Sequence, residues 1–393
     1  MFNGKRLTLA RKRRGVTKRT LAAQIEMTER SLSSYENGKG NPEEKTLIKI
    51  AKVLDFPLDF FLGDNLEELS SDVASFRAMS KMTASQRDMA LSAGTLALLL
   101  NNWIEKKFDL PKPNIPDLDR SMAGSSHSHS IKTSSDEGDV DSYPSPGKEH
   151  SPEAIAEALR KYWGLGELPI KNMIDLLESK GIRVFSLVID AKEVDAFSMW
   201  YNDKPFIFLN TMKTAERCRF DAAHELGHLI MHRHGVPQGQ DAEREANSFA
   251  SAFLMPRRSV LAYAPRSVTL PSLIARKKYW TVSAAALNYR LHQLGLTTDW
   301  TYRTLCVQLS EFGRDKEPEG EKSEKSQVLT KVFSALRSEG VNKYTIAQEL
   351  LIHPKEIDEL TFGLMINVLD GGRTDNNDKR STTNRVNHLK LVK

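Results

Sequence analysis

The feature that most limits how this chain can fold is a long stretch with almost no large apolar side chains. Residues 111–150 contain nine Ser, five Pro and three Gly, so they cannot bury enough apolar surface to form a core. A charged stretch at 313–326 and a polar tail at 368–393 have a similar composition, and all three are predicted to be linkers or disordered ends. The folded blocks that remain lie at about 1–110, 151–312 and 327–367.

Composition argues against a membrane protein and against a secreted protein with a signal peptide. A chain of 393 residues with 40% apolar and 27% charged residues is typical of a globular protein with two or three domains. Its longest apolar run, Leu96 to Leu100, is far below the roughly 20 residues of a membrane helix. The first 20 residues carry eight Lys or Arg and no apolar segment, unlike a signal peptide. With only two cysteines, we expect a cytoplasmic protein without a membrane segment.

Positive charge is concentrated at the N-terminal end. Residues 1–65 hold 13 Lys or Arg against 8 Asp or Glu, and this difference equals the net charge of +5. Such clustering indicates nucleic-acid binding, although a solvated charged face has the same composition. The basic side chains that have no acid near them in sequence are Lys5, Arg6, Arg11, Lys12, Arg13, Arg14, Lys18 and Arg19.

The spacing of apolar residues in the first block predicts short helices and no strand. Two of them, at 17–24 and 28–36, would begin after the N-caps Thr17 and Thr28 and be joined by a turn at 25–27, which is the arrangement of a helix-turn-helix. The second helix would place Leu32 and Tyr35 toward the core. Its opposite side would face the DNA major groove with Glu29, Arg30, Ser33 and Ser34.

Residues 4–63 resemble the helix-turn-helix family of Cro and lambda repressor, known as XRE. The resemblance is carried by Leu7, Arg11, Gly15, Thr17, Leu21-Ala22, Ser31, Ser34-Tyr35-Glu36-Asn37-Gly38, Pro42, Leu47, Ile50-Ala51, Leu54 and Phe60-Phe61. It implies binding to a double-stranded DNA operator. The implied readers of base edges are Thr28, Glu29, Arg30 and Ser33, and the implied phosphate contacts are Lys18, where the family usually has Gln, and Lys39. A helical domain that binds protein is the alternative.

The sequence leaves more than one role open for two regions, 66–110 and 327–367. Residues 66–110 are too apolar for a tether, and we expect either an amphipathic helix that forms a homodimer or docks on another block, or additional core. Residues 327–367 are predicted to form a small helical pair, which is either a protein-contact segment or a further DNA-binding segment.

The second block, at about 151–312, contains both the apolar spacing of helices and the residue runs typical of strands. Helices are predicted at 152–162, with Ser151 as N-cap, and at about 170–180. Three β-branched and aromatic runs follow at 182–189, 196–201 and 205–209, which predict a small antiparallel sheet with a hairpin at 202–204. Further helices are predicted at 214–234 and 242–254.

The helix at 214–234 contains His224-Glu225-Leu226-Gly227-His228. Two histidines four residues apart differ by only about 40° around a helix, so both imidazoles can reach one ion, and Glu225 lies beside it as a candidate proton acceptor. Zn²⁺ suits imidazole ligands and a site that keeps one position open for water. The third protein ligand would come from the neighbouring helix as Glu243 or Glu245, and each of these acids also fits a solvated surface.

This block, at about 151–300, resembles the ImmA/IrrE family of metallopeptidases. The similarity is carried by Phe206–Asn210, Arg219-Phe220, Ala223–His228, His232, Glu245-Ala246-Asn247, Phe249-Ala250, Leu254-Met255-Pro256, Val282-Ser283, Arg290-Leu291 and Leu294-Gly295-Leu296. It implies Glu245 as the third zinc ligand, in preference to Glu243. Asp221 stands where the family commonly has Thr. His232 is interpreted as a residue that supports the ligands or caps the helix.

Together these patterns predict a multidomain fold: an all-α helix-turn-helix domain, an α+β zincin-like domain and a short helical C-terminal segment. The implied function is a DNA-binding regulator with a zinc-dependent endopeptidase, in which Glu225 takes a proton from a zinc-bound water, and whose protein substrate is a repressor in a stress or mobile-element response. A strand at about 205–209 would hold the substrate by backbone pairing. The alternatives are a non-catalytic regulator that uses the zinc fold as a sensor or docking surface, and an antitoxin.

Overall fold

The computed structural model describes residues 1–69, 82–116, 151–189, 195–233, 239–313 and 316–364, together with the backbone of 75–76. Most of the predicted linker at 111–150 and the whole of the tail at 368–393 lie outside these residues. None of the described helices is both long enough and apolar enough to cross a membrane.

The described elements are named here in chain order. The helices are α1 (Gly4–Arg13), α2 (Lys18–Gln24), α3 (Glu29–Glu36), α4 (Glu44–Leu54), α5 (Ala84–Glu105), α6 (Pro152–Tyr162), α7 (Met173–Ser179), α8 (Ala215–Met231), α9 (Gln240–Leu254), α10 (Arg257–Tyr263), α11 (Leu270–Trp280), α12 (Ala284–Gln293), α13 (Asp299–Ser310), α14 (Gln327–Ser338), α15 (Lys343–Leu350) and α16 (Pro354–Leu360). The strands are β1 (Ser75–Phe76), β2 (Arg183–Leu187), β3 (Ala196–Tyr201) and β4 (Lys204–Asn210).

The N-terminal helices confirm the predicted helix-turn-helix. Thr17 and Thr28 cap α2 and α3 by accepting hydrogen bonds from Thr20 N and Ser31 N, which satisfies backbone donors that a helix N-terminus leaves free. The turn between the two helices passes through Glu26, whose φ is 59°. Leu32 is fully buried on the inner side of α3.

The sheet is mixed, which corrects the prediction of an antiparallel one. The strand order is β1-β3-β4-β2, and β2 pairs with β4 in parallel while β3 pairs with both β1 and β4 antiparallel. The hairpin between β3 and β4 turns through Asn202 and Asp203, with φ of 48° and 56°, the geometry that two-residue hairpin loops favour. β2 arrives from a different connection and takes the opposite side of β4.

Two hydrophobic cores lie on opposite faces of this sheet. One face carries Val184, Ile207 and Leu209, which pack with α6, α8 and α9. The other face carries Phe185, Phe197 and Phe208, which belong to the same core as the N-terminal helices, α5 and the C-terminal helices. The three predicted blocks therefore share the core on this second face of the sheet.

Helix α5 occupies the centre of this shared core. It packs against α1, α15, α16 and β2, and it buries residues around most of its circumference. Trp103 Nε1 also donates to Glu349 Oε2 of α15 at 2.7 Å. Within 66–110, the described helix α5 thus contributes to the core and contacts the N-terminal helices, the C-terminal helices and the sheet.

The predicted charged linker at 313–326 is ordered where the structure describes it, because its acids bind helix N-termini. Glu317 accepts from Ala284 N at 2.8 Å, and Glu324 accepts from Met173 N and Ile174 N at 2.9 and 3.1 Å. Carboxylates at these positions satisfy free backbone donors and complement the helix dipole. Composition alone could not show this, since the partners lie far away in sequence.

The start of the other predicted linker is also attached to the protein. Asn114 donates its backbone N–H to Lys180 O at 2.8 Å, and its carbonyl accepts from Trp163 Nε1 at 3.0 Å. Pro111 O accepts from Arg183 Nη1 at 2.8 Å. Residues 111–114, which composition assigns to the linker, are therefore held against the folded part of the protein.

A buried ion pair connects α1 with α16, the last helix among the described residues. Arg13 on α1 contacts Glu356 on α16 at 2.9 Å, and their side chains are 4% and 0% exposed. Arg14 also binds Glu356, and Arg13 binds Glu359. From the sequence, these arginines are candidate DNA-binding charges. In the structure they form the ion pairs between the N-terminal and C-terminal helices.

We expect Glu356→Ala to lower the free energy of unfolding by about 3–5 kcal/mol, because it removes the fully buried carboxylate that Arg13 and Arg14 share and leaves the buried guanidinium of Arg13 with Glu359 alone. Urea denaturation followed by circular dichroism measures the change. The control is Lys355→Ala, which removes the contact of the exposed Lys355 with Glu359 on the same helix and should cost less than about 1 kcal/mol. Similar small losses in both variants would contradict a structural role for the buried pair.

The same pair predicts an acid-sensitive contribution. Burial raises the pKa of Glu356, but the charges and hydrogen bonds of Arg13 and Arg14 outweigh this effect and hold the pKa below its usual value. The stabilisation is therefore complete above the ordinary glutamate pKa of about 4.3 and is lost as the pH falls through the lower folded value. Repeating the denaturation between neutral and acidic pH should show the parent and Glu356→Ala converging.

Candidate metal centre and nucleic-acid interface

The predicted metal-binding motif lies on the buried side of α8. Thr214 caps the helix by accepting from Arg217 N, and α8 packs against β3, β4 and α9. His224 and Glu225 are 0% exposed and His228 is 4% exposed. The helix thus holds three polar side chains away from bulk water, where they need partners.

The two histidines converge on one point. Their Nε2 atoms are 3.1 Å apart, and the carboxylate of Glu243 on α9 lies 3.5 Å from His224 Nε2 and 3.4 Å from His228 Nε2. One ligand atom from each of the three residues lies within 4.8 Å of the others. This is a two-nitrogen, one-oxygen donor set of the kind that Zn²⁺ accepts.

The structure groups Glu243 with the histidines in place of the expected Glu245. Glu245 Oε2 lies instead 3.0 Å from His232 Nε2. Two positions on a helix are turned by about 200°, so only one of these acids can face the histidine pair. The signal in the sequence was Glu243 followed four residues later by Asn247, a spacing that places both side chains on one face of α9.

Each histidine is oriented by a partner at its other ring nitrogen. His224 Nδ1 is 3.1 Å from Asn247 Oδ1, and His228 Nδ1 is 2.8 Å from His232 Nδ1. His232 is the C-cap residue of α8, in agreement with its interpretation as a supporting or capping residue, and Glu245 holds it from the other side. Such contacts fix the ring orientation of a ligand histidine.

The remaining residue of the motif, Glu225, points toward the sheet. Ser198 on β3 donates its hydroxyl to Glu225 Oε2 at 2.6 Å, and both residues are buried. Sequence reasoning missed Ser198, because nothing local distinguishes a serine in a strand from any other. The hydrogen bond holds the carboxylate on the side of α8 that faces β3, and Glu243 on α9 is the acid whose carboxylate lies near both His224 and His228.

Electrostatics favours an ionised carboxylate at the centre. Burial raises the pKa of Glu243, but the hydrogen bonds and charges of His224 and His228 outweigh this effect and hold the pKa well below its usual range. A carboxylate that is ionised between two imidazole nitrogens is a suitable anionic ligand for a divalent cation. The donor set and its supporting contacts therefore fit Zn²⁺.

The strand expected to bind a substrate is not available. β4, which contains 205–209, is an inner strand with β3 on one side and β2 on the other, so its backbone groups are already paired. β3 has β4 on one side, and on its other side β1 is paired only opposite Phe197 and Ser198. Residues Met199 to Tyr201 have no strand beside them on that side among the residues described.

The candidate DNA-reading surface is the outer side of α3. Thr28, Glu29, Arg30 and Lys39 are exposed, whereas Ser33 and Ser34 are half-buried. The hydroxyl of Thr28 is already used as the helix N-cap and lies 2.8 Å from Ser31 Oγ. The structure therefore leaves Arg30 and Lys39 as long, exposed cations at the two ends of this surface.

Much of the basic cluster serves the fold of this domain and its contacts. Glu36 on α3 binds Arg11 on α1 at 2.6 Å and Lys18 on α2 at 3.1 Å, so the recognition helix is held against both neighbours. Lys12 pairs with Asp88 of α5 at 3.0 Å. The absence of nearby acids in sequence was therefore a misleading sign of free positive charge.

Comparisons with known proteins agree with this division. The helix-turn-helix family model matches residues 7–61, and the model of the M78 peptidase family, described as the IrrE N-terminal-like domain, matches residues 177–292. The chain is also 35% identical over 69 residues to YqaE of Bacillus subtilis (strain 168), an uncharacterized HTH-type transcriptional regulator. That match covers 17% of this chain and 60% of the relative.

The two matched regions contain α3 with its capped turn and the helix α8 with its two histidines. The chain therefore joins a helix-turn-helix domain of the XRE type to an IrrE-type domain of the M78 peptidase family.

Proposed function

We propose that this protein is a DNA-binding regulator whose second domain is a zinc-dependent endopeptidase. The observation that carries the proposal is Glu225: it is buried, held by Ser198, and directly follows His224, whose Nε2 converges with His228 Nε2 and the carboxylate of Glu243. A purely structural site has no use for a second carboxylate at this position. The matched family is one of peptidases.

The residues have distinct roles in this proposal. His224, His228 and Glu243 hold the metal, while Asn247 and the His232–Glu245 pair keep the two rings in position. Zn²⁺ bound there would lower the pKa of a water and polarise a substrate carbonyl. Glu225 would be the group that takes up a proton from the attacking water and returns it to the leaving amine, and Ser198 keeps its carboxylate in place. Met199 to Tyr201 of β3 have no strand beside them, among the residues that the structure describes, on the side away from β4, and in this proposal they are the backbone edge with which a substrate pairs.

The N-terminal domain supplies the second half of the function. We propose that α3 enters the major groove of a double-stranded operator, with Arg30 at base edges and Lys39 at the phosphate backbone. The protein would act where that DNA is located, and its substrate would be a repressor or related regulatory protein. The rival function is a regulator that uses the same fold as a sensor without cleaving anything. The Glu225→Gln variant distinguishes this sensor from the enzyme.

Metal binding should depend on Glu243 and much less on Glu245. Glu243→Ala removes a ligand, and we expect the dialysed protein to lose most of the roughly one zinc per chain that the parent holds. Glu245→Ala removes only the support of His232, and we expect affinity to fall by about tenfold with the ion still bound at micromolar zinc. Metal analysis and competition with a chelator measure both. Loss of zinc only in Glu245→Ala would transfer the ligand role to that residue.

Glu225→Gln should abolish turnover while keeping the site intact. The amide has the same shape but cannot take up the proton, so cleavage of the repressor should fall at least about a hundredfold, with zinc content and operator binding near the parent values. The control is Glu157→Gln, an exposed acid on α6. If Glu225→Gln still relieves repression in cells as the parent does, the protein signals without catalysis and the sensor function replaces the enzyme.

DNA binding should separate into specific and general contributions. We expect Arg30→Ala to cost about 1–3 kcal/mol and to relax preference at one base position, whereas Lys39→Ala should weaken binding to all sequences and reduce the salt slope by about one. Gel-shift titrations of a selected operator at two salt concentrations measure both effects. Lys161→Ala, an exposed cation on α6, is the control. Parent-like binding by both variants would show that α3 does not contact DNA.

A further inference from the structure

The outer edge of β3 is partly covered by the protein's own chain. All six residues of β3 pair with β4 on the inner side. On the outer side, Ser75 and Phe76 of β1 pair antiparallel with Ser198 and Phe197. A strand of ordinary length has about five residues, so the uncovered positions from Met199 to Tyr201 are too few to pair with a whole substrate strand.

β1 covers the point of this edge that holds the proposed proton acceptor. Ser198, which lies opposite Ser75, is the residue whose hydroxyl donates to Glu225 Oε2 at 2.6 Å. Neighbouring strands lie about 4.8 Å apart, so the backbone of β1 runs one strand spacing away from Ser198. A substrate that pairs with β3 at this point needs the backbone groups that β1 already uses.

The chain is attached to the protein on both sides of β1. Before it, Leu69 N donates to Thr95 Oγ1 of α5 at 3.3 Å. After it, Met82 is 7% exposed, and Thr83 begins α5 with a capping box. The 12 residues from 70 to 81 therefore run between two points that are fixed on α5.

Helix α5 is itself packed closely on β3. A Cβ atom at Gly94 would lie 2.7 Å from Leu69 Cδ1 and 3.0 Å from the ring of Phe197, which is the β3 residue opposite Phe76. The missing side chain of Gly94 thus allows the helix to approach the sheet at this point. The attachment of β1 and the edge that it covers are held close together.

Two paired residues make a weak contact, but the attachment to α5 compensates for this. A pair of short strands is marginally stable in water, whereas a strand on a short tether has an effective concentration in the millimolar range. A tethered strand of this kind competes with strands in solution and can still be displaced by them.

We propose that β1 is an internal competitor for the substrate edge of the peptidase. Paired with Phe197 and Ser198, it excludes a substrate strand, and its displacement opens the whole edge of β3. The inference rests on the proposed peptidase function for the word substrate, but competition between β1 and an added strand does not depend on turnover. The attachment points of β1 belong to the core that contains the N-terminal helices, so the DNA-binding side of the protein carries the competitor.

The test uses the full-length, zinc-loaded Glu225→Gln protein, in which peptides bind without being cut. The probe is a fluorescent synthetic peptide of residues 70–81, which can pair with β3 in place of the protein's own segment. Adding Ser75→Pro/Phe76→Pro removes both N–H donors of β1, since proline cannot donate to a strand ladder. The control, Ser75→Thr/Phe76→Tyr, keeps both donors and has residues that favour strands.

We expect the proline variant to bind the probe at least about tenfold more tightly than the Glu225→Gln protein and the control do. The apparent affinity falls with the fraction of molecules whose edge is open, so tenfold corresponds to β1 being paired in about nine of ten molecules. Fluorescence anisotropy measures the affinity. A probe with proline at the same two positions should bind none of the proteins.

Hydrogen exchange followed by mass spectrometry locates the effect. Fragments that contain Phe197 and Ser198 should exchange faster in the proline variant and regain protection when the probe is added. The Glu225→Gln protein without a further substitution gives a test that does not depend on the folding of the proline variant. There, an excess of isotope-labelled probe should speed exchange at Ser75 and Phe76, because it displaces the protein's own strand.

Failure of this inference and failure of the peptidase function give different results. Equal probe affinity in all three proteins, with unchanged exchange at Phe197 and Ser198, would overturn the internal competitor. If proteins that retain Glu225, with and without the proline pair, cut none of a mixture of randomised decapeptides while the proline variant still binds the probe selectively, the competition holds and the catalytic function fails.

Discussion

The constraint on which this structure depends is that both faces of a small sheet are buried by segments far apart in the chain. Ile207 and Phe208, neighbours on β4, are both 0% exposed although they point to opposite faces. One of them packs with the helices that hold the histidines, and the other packs with α5 and the N- and C-terminal helices. Neither layer can be removed without exposing a row of apolar side chains to water.

The burial of both sheet faces also positions the residues of the candidate site. β3 lies between the two cores, so the position of Ser198 along the sheet is fixed, and Ser198 in turn holds Glu225. The other contacts of the site run between α8 and α9, where Asn247, His232 and Glu245 orient the two candidate ligands His224 and His228. The candidate metal centre is thus built from the sheet on one side and from a helix pair on the other.

Sequence reasoning succeeded where the responsible interactions are local. The caps Thr17, Thr28 and Ser151 act on backbone donors three residues ahead, and the two histidines of α8 are neighbours because of the helical repeat. A pattern of this kind is complete within one turn of helix. The helix-turn-helix, the hairpin and the motif-bearing helix could therefore be located without a structure.

The predictions that differ from the structure concern contacts between distant segments. The residue pattern of one segment does not show which other segment it contacts. The parallel pairing of β2 with β4 depends on which edge of the hairpin is free to receive it. Glu243 and Glu245 differ only in the direction each faces, which is set by how α9 packs on α8. The acids of 316–326 resembled a solvated linker because the helix N-termini that they bind come from elsewhere in the chain.

The ion pair between Arg13 and Glu356 has a practical consequence for dissecting the protein. An N-terminal fragment that ends after α5 would keep every residue of the helix-turn-helix, yet it would expose the guanidinium of Arg13, whose counter-charge Glu356 lies in the discarded part. Its behaviour on DNA would then mix the properties of the domain with those of an exposed apolar and cationic surface. Both proposed activities should accordingly be compared in chains that retain α16, and the unit of dissection is the whole shared core.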